Sequence, residues 1–110
     1  MIKHIVMWKT AGKTREQRLN NAHRVKSAFE GLRGKIPGLL VLEIGIDISQ
    51  IDYACDVVLY TEFTDTAALT HYATHAEHMR VRDELEGLRI SRHQVDYLSD
   101  NAVEVPDKIK

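Results

Sequence analysis

The chain has 110 residues, 15 Lys and Arg, 16 Asp and Glu, six His and a single Cys. That length fits one domain with its own core, which needs neither a metal nor a disulfide to hold it. A formal charge of −1 and a charged fraction of 28% argue against a broadly basic nucleic-acid binder and against disorder.

One Cys cannot form an internal disulfide, and Cys55 sits in an apolar run, so a reducing compartment is expected. No apolar run approaches the roughly 20 residues of a membrane helix. Met1–Trp8 is short, and Lys9, Lys13 and Arg15 follow it, the reverse of the order in a secretory signal. The expectation is a cytoplasmic protein with no membrane or nucleic-acid partner.

Ile2–Lys9 reads as a strand. Ile2, His4, Val6 and Trp8 fall on one face, and Lys3, Ile5, Met7 and Lys9 on the other. Ala11-Gly12-Lys13 marks a turn. Thr14 and Gln17 then have capping-box spacing at the head of a helix. Leu19, Ala22, Val25, Phe29 and Leu32 recur at helical spacing as its apolar face, and Gly34 is the expected stop.

After the turn Ile36-Pro37-Gly38, Leu39–Ile46 is a second strand and Cys55–Phe63 a third, joined by a polar connection. Thr64 or Asp65 can cap a second helix carrying Ala68, Leu69 and Tyr72. His75-Ala76 interrupts it. A further helical segment runs from about Glu77 to Glu86, with His78, Val81 and Leu85 on one side and Gly87 at its end. Arg89–Leu98 holds the fourth strand, with His93, Val95 and Tyr97 on one face. Residues 99–110 form a polar tail in which Val103 and Val105 alternate.

The order βαββαβ predicts an α+β, ferredoxin-like domain over residues 1–98 with a four-stranded antiparallel sheet. Two helices cover one face of such a sheet. The other face here also carries large apolar groups, a patch too large for an ordinary soluble surface. A second copy packed face to face would cover it, so a two-fold homodimer is expected. Val6 or Leu59 is expected to face that partner.

Four segments, "IKHIVMWK", "KIPGLLVLEIGIDIS", "YTEFTDTAALTHYATHAEHMRV" and "HQVDY", together resemble the stress-responsive dimeric α/β-barrel (Dabb) domain family in one register from about Ile2 to Leu98. The resemblance implies a dimer whose two sheets form a barrel. The family includes stress-associated proteins and at least one polyketide cyclase, which uses a His–Tyr pair and a further His on the first strand. His78 and Tyr72 match the pair, and His4 matches the first-strand His. Three positions depart from that pattern. Val57 replaces a third-strand His, Phe29 replaces a first-helix Tyr, and Ala76 replaces the Pro after the first His of the HPxH segment.

The candidate catalytic residues are therefore His78, Tyr72 and His4. An imidazole takes and returns a proton near neutral pH, and a phenol can donate to a developing oxyanion. On a continuous helix Tyr72 and His78 would lie about 120° apart, so the break at His75-Ala76 is what would bring them together. Val6, Trp8, Phe29, Val57 and Leu59 are the candidate ligand-lining groups. The bland alternative makes Tyr72 a core aromatic, His78 a helix cap and His4 a satisfied buried imidazole.

His71 and His75, or His75 and His78, could share a helix face, but no Cys and no inward carboxylate completes a site. Neither a metal nor a cofactor is expected.

Two functions from different classes remain open. One is acid–base chemistry of the cyclase or isomerase type on a small apolar or carbonyl ligand in the barrel cavity. The other is a non-catalytic, stress-responsive ligand-binding or assembly protein. A monooxygenase-like role is a third reading, from fold analogy alone.

Overall fold

Alternation of buried and outward side chains runs the length of the first strand, β1 (Ile2–Thr10), in the computed structural model, which describes residues 1–99. Ile2, His4, Val6, Trp8 and Thr10 are buried beneath the helices, while Lys3, Ile5, Met7 and Lys9 point the other way. The tail alternation at Val103 and Val105 lies outside the described residues.

Helix α1 (Arg15–Glu30) begins at Thr14, whose Oγ1 accepts the Gln17 N–H at 3.1 Å. The return bond expected of a capping box goes one residue further out: Gln17 Oε1 accepts from Lys13 N–H at 2.8 Å. Ala22, Val25 and Phe29 form the buried face. Leu19, expected on that face, is 40% exposed. The first turns of α1 meet the sheet through polar contacts instead: Thr10 Oγ1 donates to the Arg18 carbonyl, and Asn21 Nδ2 to that of Ala11.

The helix also ends earlier than Gly34. Gly31 caps it, donating its N–H to the Ser27 carbonyl, and Leu32 is buried in the turn that follows. Gly34, at φ +76°, belongs to the connection. That connection reaches Gly38, at φ +80°, where an added Cβ would come within 2.6 Å of the Ala68 Cβ. Both the backbone angle and the close approach require glycine at 38.

Strand β2 (Leu39–Ile46) pairs with β3 (Val57–Phe63). Cys55, expected in the third strand, lies before it. Asp56 is occupied elsewhere: its N–H donates to the Trp8 carbonyl, and its carboxylate accepts the Thr10 N–H at 2.7 Å. Asp65, rather than Thr64, caps α2 (Thr66–Thr74) by accepting from Ala68 N–H at 2.8 Å. Then come α3 (Ala76–Glu84) and β4 (Arg89–Leu98).

The sheet order is β2-β3-β1-β4, antiparallel throughout. This is the ferredoxin-like arrangement expected from the element order. The core lies between the helices and one sheet face, around Val6, Leu59, Phe63, Val25, Phe29 and Val81. Val6 and Leu59 are therefore not partner-facing. They stand opposite one another in the β1–β3 ladder and are wholly buried under the helices. Period-two alternation puts Met7, Val58 and Val95 on the uncovered face instead. Among the described residues, no helix is long and apolar enough to cross a membrane.

Candidate functional site

His75 is the residue that shapes the site. Its backbone is extended, at φ −65° and ψ 138°, so α2 stops there and α3 starts in a new direction. Its N–H donates to the Tyr72 carbonyl at 3.1 Å, closing α2, and its Nδ1 accepts from the Glu77 N–H at 3.1 Å, opening α3. One residue thus satisfies groups at both helix ends. The redirected chain brings the Tyr72 and His78 rings to a centroid distance of 4.4 Å, tilted by 58°.

These two rings share a cavity of about 380 Å³ with His4, Val6, Trp8, Phe29 and Leu59. That volume is within the range of small-molecule sites. His4 reaches it because even-numbered residues of β1 face the helices, and its ring lies 6.0 Å from that of Tyr72. Trp8 and Phe29 stack at 5.3 Å with an interplanar angle of 21°, making an aromatic wall. Phe29, the replacement for a Tyr in the cyclase pattern, is part of that wall. Val57 does not line this cavity; it borders a separate hollow with Met7, Gly45 and Cys55.

The polar groups inside are only partly satisfied. Tyr72 is 2% exposed, and its hydroxyl has no hydrogen-bond partner among the described residues. Nδ1 of His78 likewise makes no hydrogen bond of good geometry, although the Ala73 carbonyl lies near the ring. Burial pushes the Tyr72 pKa well up, partly opposed by Arg92 and Arg89, so the phenol keeps its proton. Burial lowers the pKa of His78, with Arg82, Arg92 and Arg89 acting in the same direction and the Ala73 carbonyl against it. A neutral imidazole beside a protonated phenol is a base beside a hydrogen-bond donor.

Five further residues belong to this region and escaped the sequence reading. Asp96 Oδ1 lies 2.5 Å from His4 Nδ1. Gln94 Nε2 donates to the other Asp96 oxygen at 2.9 Å, and Arg92 Nε donates to Gln94 Oε1 at 3.1 Å. Arg82, Arg89 and Arg92 line the cavity, with Arg89 held 4.8 Å above the centre of the Trp8 ring. The signal was available in the alternation of β4. Residues 92, 94 and 96 pair with Trp8, Val6 and His4, and so share their face.

Among the described residues, no group of three or more His, Cys, Asp and Glu side chains converges as metal ligands do. The His71 and His75 rings meet edge to face, 5.9 Å apart.

Residues 2–99 match the model of a family described as the stress-responsive A/B barrel domain, Dabb. No curated protein shows a significant sequence match. Among similar solved structures is a dimeric protein of unknown function with a ferredoxin-like fold from Bacteroides fragilis. It is 32% identical, with a TM-score of 0.76 over 87% of this chain and 93% of that one. A Dabb family protein from Mesorhizobium loti is 24% identical, with a TM-score of 0.64 over 91% and 97% of the two chains. A hydroxynitrile lyase from Passiflora edulis is 11% identical, with a TM-score of 0.73 over 94% and 96%. The last two are likenesses of fold.

Proposed function

The chain belongs to the stress-responsive A/B barrel (Dabb) family, and on that footing we propose that it is a homodimer whose cavity performs acid–base chemistry on a small carbonyl compound. A cytoplasmic, reducing setting suits its free Cys55.

The observation that carries this reading is the unpartnered Tyr72 hydroxyl on a ring packed 4.4 Å from that of His78, with both rings lining one cavity. Leaving a buried polar group unpaired costs about 1–3 kcal/mol. A core aromatic and a simple helix cap would not carry that cost without a use for it. The helix-capping role belongs to His75, which leaves His78 free for other work.

In the proposed step His78 removes a proton from the carbon next to the carbonyl. The C–H electron pair forms the enolate, and the Tyr72 hydroxyl donates to its oxygen. The proton then returns from the imidazole to the product. Cyclisation and isomerisation both fit such a sequence. His4, oriented by Asp96, borders the same space and positions the substrate.

The test is solvent-deuterium exchange into a panel of β-dicarbonyl compounds, followed by NMR. His78→Asn should slow exchange by about 10²–10⁴-fold, the usual contribution of a general base. Tyr72→Phe should slow it less. Full exchange rates in both variants would remove the proposal. Binding without exchange in the unmodified protein would establish the non-catalytic reading in its place.

A further inference from the structure

The rim of the cavity carries a charge that the proton-transfer step does not use. Arg82 from α3 and Arg89 and Arg92 from β4 all line it. Arg82 and Arg92 are exposed and Arg89 is partly buried, so the three mark the boundary between solvent and the buried interior of His4, Tyr72 and Trp8. Three like charges around one opening repel each other. Among the described residues none of them is ion-paired. The carboxylate nearest in the sheet register, Asp96, is engaged by His4 and Gln94.

Arg89 is held over the aromatic wall, 4.8 Å from the Trp8 centroid and 5.9 Å from that of Phe29. A guanidinium placed this way keeps its in-plane N–H donors for a ligand. Below it, the cavity offers the apolar surface of Val6, Trp8, Phe29 and Leu59. Such an opening recognises a molecule with two parts, an oxyanion and a small apolar body.

We infer that the cavity takes a small molecule bearing an oxyanion, a carboxylate or a phosphate monoester, which Arg82, Arg89 and Arg92 hold at the rim while its apolar body enters against Trp8 and Phe29. This deepens the function proposed above and rests on its reading of the cavity. Burial and the neighbouring Arg92 disfavour the charged form of Arg89, and an arriving oxyanion relieves that crowding.

The experiment uses the full chain with phenylacetate, phenyl phosphate and uncharged phenylacetamide, titrated by calorimetry and by NMR. At least one charged probe should bind about tenfold more tightly than the amide, the scale of one charge-assisted hydrogen bond. Whichever charged probe binds more tightly identifies the anion as carboxylate or phosphate. Arg92→Gln and Arg82→Gln, both at exposed positions, should each reduce that preference severalfold. Arg89→Gln should reduce it further. Arg24→Gln, in a separate groove between α1 and α3, should change nothing.

Equal binding of charged and uncharged probes, absence of binding by both charged probes, or a preference untouched by all three rim substitutions would overturn the inference. His78→Asn removes the proposed base and keeps the rim. Its charge preference should survive, so a failed acid–base reading and a failed anion site give different results.

Discussion

Asp96 stands directly opposite His4 in the β1–β4 ladder, and its carboxylate lies 2.5 Å from Nδ1 of the imidazole. A carboxylate accepts and cannot donate, so it selects the tautomer with the proton on Nδ1 and leaves Nε2 as the acceptor. The link continues along β4 to Gln94 and Arg92. A rim guanidinium and a buried imidazole therefore belong to one hydrogen-bonded chain on the strand's helix-facing side.

The tautomer can be observed directly. Nitrogen NMR of the histidines should show His4 in the Nδ1-protonated form when neutral. Asp96→Ala should return it toward the Nε2-protonated form usual for a free imidazole. An Nε2-protonated His4 in the unmodified protein would contradict the assignment.

His78 should make stability depend on pH. Its folded pKa lies below the ordinary imidazole value because burial disfavours the imidazolium. Between the two pKa values the unfolded chain binds more protons, so stability rises with pH there. The native state should thus be fully favoured above about pH 6.5 and lose this contribution as pH falls toward the folded pKa. Chemical denaturation at a series of pH values should show the slope, and His78→Asn should flatten it. An identical slope in the variant would place the dependence on another group.

Two glycines separate backbone strain from packing. Gly34 and Gly38 both have positive φ, but an added Cβ meets nothing within 4 Å at 34 and the Ala68 Cβ at 2.6 Å at 38. Gly34→Ala should cost about 1 kcal/mol from the left-handed conformation. Gly38→Ala should cost more, about 3 kcal/mol, because overpacking is added. Equal unfolding midpoints for the two variants would show that α2 yields freely at Ala68.

The uncovered sheet face should govern assembly. Met7 pairs with Val58 on one side and His93 on the other, at the centre of that face. Val58→Glu should split a dimer, since an unpaired buried carboxylate costs several kcal/mol. Sedimentation would then give the mass of one chain for the variant and twice that for the unmodified protein. A folded single chain in both cases would assign the face another role.

Strand alternation made the fold legible, because a half-buried strand imposes a period of two on side chains whatever surrounds it. The break at His75 was also legible. What could not be read was which face met the helices. Val6 and Leu59 are as apolar as Met7 and Val58, and only the helices' position on the sheet distinguishes them. Leu19 misled for a related reason: helical spacing states that a side chain lies on a face, not that the neighbouring strand extends far enough to cover it. The polar side of the site was hidden more deeply. Arg92, Gln94 and Asp96 look like ordinary solvent-facing positions of an edge strand until the register sets them beside Trp8, Val6 and His4.

The double role of His75 gives the segment from Tyr72 to His78 an unusual sensitivity to length. Substituting a side chain there changes one contact. Inserting or removing one residue within either helical turn would rotate one ring relative to the other by about 100°. Related chains that keep the shared cavity should therefore vary in residue type between these two positions while keeping the five-residue interval, even where neighbouring loops change size.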